Sequence, residues 1–281
     1  MKVSILLPTL NRIAYLREAL DSARTQTHSE LEILVSDDGS TDGTQGLVQQ
    51  IAEEDPRVTL LPPNPTPGLF TNINYLVSSA RGDAYCILAD DDRLLPEFVE
   101  RLVKPLEADP SVIASFCDHW VMDGSGTRMI EATERNSAYF GRDRLHQGRV
   151  PDPIGAAIDG SMCMGFSLYR SDALRGELFD LNCGGAADFD YAIRTAGKGA
   201  LHYVQERLGE YRTHAGTATN TRAAYMIGGG IEVFERYTFA NADHERRRHE
   251  WLRRAYRALA YIHSVDSRKD SLTSIWRYLR Y

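Results

Sequence analysis

The sequence predicts an α/β fold with a mostly parallel sheet and helices on both of its faces. The first 120 of its 281 residues alternate short apolar runs rich in β formers with segments whose apolar residues recur at helical spacing. Short polar clusters also follow three of the apolar runs directly. This alternation is typical of parallel sheets, because a helix usually connects each pair of parallel strands.

The predicted elements follow in chain order. The predicted strands are 3–7, 31–35, 58–61, 84–88 and 112–116. The predicted helices are 12–26, a segment capped by Thr41 that runs to about 54, 68–80, one that starts near Pro96, and 186–197. Residues 123–160 carry turn signals and charges and receive no assignment, whereas the chain after about Ala223 is helical in pattern.

The composition excludes several classes of protein. Hydrophobic residues make up 43% and charged residues 25%, as in an average soluble globular protein, and the net charge of −7 argues against nucleic acid as a partner. The amino terminus lacks the features of a signal peptide, and no apolar run has the length of a transmembrane segment. The four cysteines form no C-x-x-C pair, so we expect reduced thiols and a cytoplasmic protein.

The polar clusters lie just after the first, second and fourth predicted strands. They are residues 9–12, 37–39 and 90–92. Since parallel strands point the same way, the three clusters should meet at one edge of the sheet, which is where open α/β sheets bind ligands. This convergence is a stronger indication of a binding site than any one of the clusters.

The run Asp90-Asp91-Asp92 is the first cluster with an identifiable chemistry. Three adjacent carboxylates repel each other unless a positive charge lies among them, and a hard cation such as Mg²⁺ or Mn²⁺ takes oxygen ligands and bridges to phosphates. The alternative is an acidic loop whose aspartate caps the helix near Pro96.

The segment from Ser36 to Thr44 is the second cluster. A carboxylate directly after a strand, such as Asp38, can accept hydrogen bonds from a base or a ribose. The alternative is a tight turn followed by a helix cap, which would be favoured if the motif stood alone.

Two further residues are candidates for catalysis or ligand binding. Asp188 follows two glycines at a predicted helix start, where it could take a proton from an attacking hydroxyl or only interact with the helix dipole. On the residues alone, the second role is the more common. His214 follows Arg212 and could bind a metal or a phosphate, although a single histidine is usually structural or solvated.

Two common nucleotide-binding signatures are absent from the sequence. No G-x-G-x-x-G follows the first predicted strand, which argues against a dinucleotide oxidoreductase, and no G-x-x-x-x-G-K-[ST] is present, which argues against a P-loop NTPase.

Taken in order, these segments resemble the family 2 glycosyltransferases of the GT-A fold. The resemblance covers roughly residues 3–216, from the opening strand through the Asp37-Asp38-Gly39-Ser40 motif and the acidic triplet to the segment around Asp188. Two positions differ from the family pattern, because Ala89 replaces the first acid of the metal motif and Ala187 replaces the glutamate common before the base.

The resemblance implies a role for each candidate residue. Asp188 would be the catalytic base. The nucleotide would be bound by Pro8, Thr9, Arg12, Asp38 and Asp90, with Thr9 and Asp38 at the nucleobase and Asp90 at the ribose. The metal, Mn²⁺ or Mg²⁺, would be bound by Asp91, Asp92 and His214, with Asp91 as the leading ligand.

The function implied is that of a metal-dependent inverting glycosyltransferase. It would move a sugar from a UDP- or dTDP-sugar to an acceptor hydroxyl on an unidentified glycan, lipid-linked, protein or small-molecule acceptor. The alternatives are a sugar-1-phosphate nucleotidyltransferase and a catalytically degenerate nucleotide-sugar-binding protein. We expect a GT-A domain over residues 1–222, with a nucleotide-binding half at 1–110 and an acceptor half at 111–222. A C-terminal helical extension would occupy 223–281, where a homodimer contact and a membrane-surface contact both remain open.

Overall fold

The computed structural model describes residues 1–214 and 223–265, and all structural statements refer to that part of the chain. Its strands are β1 (Val3–Thr9), β2 (Leu31–Asp37), β3 (Val58–Leu60), β4 (Ala84–Ile87), β5 (Arg93–Leu94), β6 (Val112–Met122), β7 (Gly148–Arg149), β8 (Ser167–Arg170) and β9 (Ala200–Arg212). Its α-helices are α1 (Ile13–Arg24), α2 (Thr44–Glu54), α3 (Leu69–Ser79), α4 (Phe98–Ala108), α5 (Ile130–Tyr139), α6 (Pro153–Asp159), α7 (Ala187–Ala196), α8 (Ala223–Arg236) and α9 (Ala242–Val265). Short 3-10 segments lie at Arg142–Arg144, Met164–Phe166 and Leu181–Ala186.

The strands form one mixed sheet in the order β3-β2-β1-β4-β8-β6-β9-β5, and β7 also pairs with β9. Strands β3, β2, β1 and β4 are parallel neighbours, and β6 and β9 run in the same direction beyond the reversed strand β8. The predicted mostly parallel α/β fold is therefore confirmed. Three short strands, β5, β7 and β8, run in the reverse direction.

The first half of the sheet forms where the apolar pattern predicts it. All seven residues of β1 are buried, because helices cover both faces of a central parallel strand. Helix α1 buries Leu16, Ala19, Leu20 and Ala23, which recur at the spacing of one helical face. The start of α2 differs from the prediction. The Asp42 side chain, rather than that of Thr41, accepts the hydrogen bond from the Thr44 backbone N–H, at 3.1 Å.

A hydrophobic core lies on each face of the sheet. The core on one face includes residues of α1, α2 and α4, for example Leu16, Leu47 and Leu102. The core on the other face includes residues of α3, α7, α8 and α9, for example Tyr191 and Phe234. Helices α8 and α9 are thus packed into the same core as α7. The expected domain boundary at 222 and the segment 266–281 lie outside the described residues.

Strand β6 is longer than predicted, because it continues from Phe116 through polar residues to Met122. Its buried Asp118 is paired with the equally buried Arg142, whose Nε lies 2.7 Å from the carboxylate. This ion pair lets a charged residue occupy an interior strand position, which is unfavourable for an unpaired charge. The pairing partner β9 was not predicted as a strand.

The four cysteines are free, and three of them are buried. None of the helices in the described residues combines the length and the apolar character needed to cross a bilayer.

Candidate active site

The parallel register brings the polar clusters together at one edge of the sheet. Thr9 pairs with Asp37 at the ends of β1 and β2. On the other side of β1, the Leu88 backbone N–H donates to the Leu6 carbonyl at 2.8 Å, and the acidic triplet begins two residues later. Helix crossovers force these strand ends into the same orientation, so the convergence expected from the sequence follows from the topology.

Asp90 is tied to the end of β1. Its carboxylate accepts hydrogen bonds from Thr9 Oγ1 at 2.9 Å, from the Leu10 backbone N–H at 3.3 Å and from Arg12 Nη1 at 3.1 Å. Burial raises the pKa of Asp90, whereas the charge of Arg12 lowers it. Three predicted nucleotide-binding residues, Thr9, Arg12 and Asp90, are thus in direct contact. Asp90 itself is buried, with 8% of its surface exposed.

Asp91 lies between a cation and an imidazole. Arg12 Nη1 donates to Asp91 Oδ2 at 2.5 Å, and His214 Nε2 lies 3.2 Å from the same oxygen. The His214 ring also contacts Tyr15 of α1, with 5.0 Å between the ring centroids. The structure therefore brings the predicted ligands Asp91 and His214 together, although they are 123 positions apart in the sequence.

Arg212, the last residue of β9, stabilises the positions of Asp91 and its neighbours. Its side chain is nearly inaccessible, and it donates to the Asp91 carbonyl at 2.7 Å, to Glu18 Oε2 at 2.6 Å and to the Gly124 carbonyl at 3.2 Å. Its guanidinium also lies 4.7 Å from the centre of the Tyr15 ring. The sequence indicates Arg212 only as a neighbour of His214, because no local pattern shows which distant groups a buried arginine contacts.

Asp92 points toward β9. Its Oδ1 accepts the Arg212 backbone N–H at 2.8 Å, and burial together with the charge of Asp91 raises its pKa well above the usual range. One oxygen of Asp92 is therefore used to join the acidic triplet to the end of β9. Its role as a metal ligand stays a prediction.

The two aspartates of the second motif have different surroundings. Asp37 is buried and bonded to Ser40 and Gln45, with Gln45 Nε2 at 2.9 Å. Asp38 instead accepts the backbone N–H of Gly68 at 2.9 Å, at the start of α3. Asp38 thus fixes the end of segment 62–67, which contains four prolines and precedes α3. The sequence did not predict this contact. Pro8 lies in β1, opposite Ser36.

Asp188 lies in the first turn of α7 and is partly buried. It has no ion pair within the described residues, and its hydrogen bond is from the Phe189 backbone N–H at 3.0 Å. Burial raises its pKa to about 6. Burial likewise raises the pKa of the Cys163 thiol, and the charges of Asp92 and Asp188 both add to that rise. Cys163 is therefore within electrostatic range of the acidic triplet and of Asp188.

The donor atoms present fit a divalent cation that is held partly by its substrate. Within residues 1–214 and 223–265, no three histidine, cysteine or acidic side chains converge on one point. Asp91 Oδ2 and His214 Nε2 nevertheless lie 3.2 Å apart, close enough for both to contact one ion. Mg²⁺ in particular is often bound by one or two protein groups, with phosphates and water completing its shell.

Solved structures with a similar fold include two glycosyltransferases. One is TarS 1–349 of S. aureus in complex with UDP-GlcNAc, with a TM-score of 0.72, 16% identity, and coverage of 100% of this chain and 79% of that chain. The other is the mannosyltransferase PcManGT of Pyrobaculum calidifontis in complex with GDP-Man and Mn²⁺, with a TM-score of 0.64, 18% identity, and coverage of 99% and 84%. At this identity the likeness shows a shared GT-A fold.

Curated relatives are similar in sequence. An uncharacterized glycosyltransferase of Nostoc sp. is 31% identical over 253 residues, which are 84% of this chain and 74% of the relative. A β-1,3-glucosyltransferase of Campylobacter jejuni, named for its GalNAc(5)-diNAcBac-PP-undecaprenol substrate, is 36% identical over 37% of this chain and 34% of its own length. The Pasteurella multocida chondroitin synthase is 31% identical over 51% of this chain but only 14% of its own length.

The sequence profile of the family described as glycosyl transferase family 2 matches residues 4–170, which is more than half of the chain. The match includes β1, the second-strand motif and the acidic triplet, which together form the polar edge of the sheet. On this match and the similarity to the Nostoc relative, the chain belongs to glycosyl transferase family 2.

Proposed function

We propose that this glycosyltransferase is an inverting, metal-dependent enzyme that transfers a sugar from a UDP- or dTDP-sugar to an acceptor hydroxyl. The observation that carries the proposal is the contrast between the carboxylates of the site. Asp90 and Asp91 are both paired with Arg12, whereas Asp188 has no ion pair within the described residues and a pKa raised to about 6. The first pair suits an anionic donor with its cation, and Asp188 suits proton transfer.

The donor would lie along the carboxyl edge of β1, β2 and β4. Pro8, Thr9, Arg12, Asp38 and Asp90 would bind the nucleoside, with Asp90 at the ribose. Thr9 and Arg12 both donate hydrogen bonds to Asp90, so the three side chains are in contact before a donor binds. UDP-GlcNAc in the TarS complex and GDP-Man in the PcManGT complex support a nucleoside diphosphate sugar as donor. We favour UDP, with dTDP as the next candidate.

The cation, Mn²⁺ or Mg²⁺, would be held by Asp91 and His214, with Asp92 as a further predicted ligand. When bound, it would neutralise the charge that develops on the departing diphosphate. Arg212 would keep Asp91 and His214 at their separation through its bond to the Asp91 carbonyl. The Mn²⁺ in the PcManGT complex supports divalent metal use.

Asp188 would act as the base. It takes the proton of the acceptor hydroxyl while the acceptor oxygen bonds to the anomeric carbon of the sugar. The bond between that carbon and the diphosphate oxygen breaks at the same time, and the nucleoside diphosphate leaves with the bonding electrons. A single displacement of this kind inverts the anomeric configuration and needs no covalent intermediate on the protein.

The acceptor would be a hydroxyl of a glycan, a lipid-linked glycan, a protein or a small molecule. The names of the Campylobacter and Pasteurella relatives support a glycan acceptor. The acceptor half of the predicted domain, residues 111–222, contains Asp188 and would shape this side of the site.

The base is tested with Asp188→Asn in a transfer assay with nucleotide sugars and Mn²⁺. We expect transfer to fall by about a hundredfold or more, in line with general base catalysis, while the nucleoside diphosphate still binds. Asp172→Asn is the control, because Asp172 is exposed and, among the residues that the structure describes, bonds only to the neighbouring Ala173 N–H. Full transfer activity in Asp188→Asn would exclude the proposed base.

The metal and the donor are tested by thermal shift with a panel of nucleotide sugars, with Mn²⁺ or with EDTA, because a bound ligand raises the melting temperature. Asp91→Asn and His214→Gln should raise the Mn²⁺ concentration needed for half-maximal transfer. His202→Gln, whose ring contacts Gln147 at 3.3 Å, should leave it unchanged. Undiminished transfer in EDTA would reject the metal requirement. Release of pyrophosphate from a sugar phosphate and an NTP would instead indicate a nucleotidyltransferase. Donor binding without turnover would indicate a binding protein.

A further inference from the structure

Helix α8 lies directly against the 3-10 segment that leads into Asp188. This segment, Leu181–Ala186, ends where α7 begins, and Asp188 is the second residue of α7. Helix α8 contains the run Gly228-Gly229-Gly230, and its three glycines have different surroundings. The proposed chemistry does not explain this run of glycines.

Gly229 makes the closest approach. A β-carbon at this position would lie 2.7 Å from the Cys183 carbonyl oxygen, 3.0 Å from the Gly185 nitrogen and 3.1 Å from the Ala186 nitrogen. All three are backbone atoms, so no side chain can rotate away to make room. The backbone of α8 thus packs directly against the backbone of the segment, at a distance that only glycine permits.

The other two glycines provide internal comparisons. A β-carbon at Gly228 would meet nothing within 4 Å. A β-carbon at Gly230 would meet the Trp251 ring of α9 first, at 2.3 Å. Of the three adjacent glycines on this helix, Gly229 therefore faces the segment before Asp188, Gly228 faces open space and Gly230 faces a different helix.

Further contacts fasten α8 to the same region. Arg236 donates to Asp180 Oδ2 at 3.1 Å and to the Asn182 carbonyl at 3.1 Å. The hydroxyl of Tyr237, just after α8, donates to Asp190 at 2.9 Å. Helix α8 is therefore joined to residues on both sides of Asp188.

We propose that α8 positions the catalytic base, and that Gly229 is the positioning residue that sets the distance between α8 and the segment before Asp188. The inference rests on the proposed role of Asp188. It makes the C-terminal helices part of the acceptor side of the active site, although they lie outside the region matched by the family profile.

A methyl group at position 229 would push the segment away from α8 and carry Asp188 with it. Proton transfer depends on hydrogen-bond distance, and a displacement of about 1 Å in a catalytic group can cost on the order of a hundredfold in rate. The donor site at the ends of β1, β2 and β4 is built from other elements. The expected effect is therefore a loss of turnover with donor binding retained.

The test compares Gly229→Ala with Gly228→Ala and Gly230→Ala in the full chain. For Gly229→Ala we expect kcat for transfer to fall about 10- to 100-fold, with the KM for donor and the Kd for UDP within about twofold of the original protein. Gly228→Ala adds the same methyl group to the same helix, and it should retain full kcat. Gly230→Ala should lower the melting temperature by disturbing the contact with Trp251, so it shows what a packing defect alone does to kcat.

Arg236→Gln keeps the inference testable if Gly229→Ala does not fold. Its side chain is about half exposed, so its loss should be tolerated, and we expect a smaller fall in kcat with unchanged UDP binding. Wild-type kcat in Gly229→Ala, or in Arg236→Gln when the first variant is unfolded, overturns the inference. So does a Gly229→Ala variant in which kcat and UDP affinity fall together.

The two proposals fail in distinguishable ways. If Asp188→Asn is inactive while Gly229→Ala is normal, the base stands and the role of α8 is wrong. If Asp188→Asn transfers at full rate, the base is wrong and the role of α8 falls with it.

Discussion

Asp188, the proposed base, differs from the carboxylates of the acidic triplet in what surrounds it. Arg12 pairs with both Asp90 and Asp91, so one positive charge is shared between these two carboxylates. Asp188 has only a backbone N–H as its partner in the described residues, and burial raises its pKa to about 6. A base is most effective when its pKa lies near the working pH, and this environment gives Asp188 that property.

The first prediction concerns pH. Asp188 must be ionised to take a proton, so kcat/KM should rise with pH through about 6 and reach a plateau above pH 7. The measurement is transfer between pH 5 and 8 at saturating Mn²⁺. Asp172→Asn should follow the same curve. A rate that is constant from pH 5 to 8 would contradict the assignment of Asp188.

The second prediction concerns stability. Because the pKa of Asp188 is raised from 3.8 to about 6, its ionised form is disfavoured in the folded protein. This penalty is absent below pH 4 and fully present above pH 6, where it is at most on the order of 3 kcal/mol. Asp188→Asn should therefore raise the melting temperature by a few degrees at pH 8 and leave it unchanged at pH 4. An equal melting temperature at pH 8 would show that the carboxylate is well hydrated.

Elements differ in how far the sequence predicts them. Strand β1 and helix α1 are predictable because their signals are local: β1 begins with a short apolar run, and the apolar residues of α1 recur at helical spacing. The end of β6 and all of β9 were not, since their interior polar residues are compensated by distant partners. Asp118 depends on Arg142, and Glu210 depends on Arg93, 117 positions away. No local window of sequence contains both members of such a pair.

The third prediction concerns the end of β9. Arg212→Met keeps most of the side-chain volume but removes the donor to the Asp91 carbonyl and leaves the Gly124 carbonyl with only the longer bond from the Tyr15 hydroxyl in the described residues. We expect a loss of about 2–4 kcal/mol in the free energy of unfolding and a higher Mn²⁺ requirement for transfer. Chemical denaturation and a Mn²⁺ titration measure the two effects. Arg24→Met, which breaks a pair with Asp55 far from the acidic triplet, should lower stability without changing the Mn²⁺ requirement.

At the scale of the whole molecule, the sequence was sufficient for the fold class and for the convergence of the polar clusters at one edge of the sheet. The site follows from topology, because parallel strands carry Thr9, Asp38 and Asp90 to one edge whatever the details of packing. The contacts within the site did not follow. The approach of His214 to Asp91 depends on how β9 crosses the sheet, which the sequence pattern between 111 and 200 leaves open.

The fourth prediction concerns the predicted extension. Phe234 of α8 and Leu252 and Tyr256 of α9 are buried in the core that contains Tyr191 of α7. Removing residues 223–281 would expose that core, so we expect the shortened chain to aggregate and to lose cooperative unfolding. Calorimetry and light scattering provide the measurement. A shortened chain that melts cooperatively and binds UDP would show that residues 1–222 are an independent domain.

The burial of the cysteines makes the chain suited to site-selective chemical labelling. Burial raises the pKa of all four thiols, to about 11 for Cys163, so they stay protonated and slow to alkylate at neutral pH. Tyr225 is 56% exposed and lies beside Gly184, just before the proposed base. In Tyr225→Cys, a maleimide dye should add once by intact mass, whereas the original protein stays unmodified. The attached fluorophore would then report the arrival of an acceptor without removal of any native cysteine.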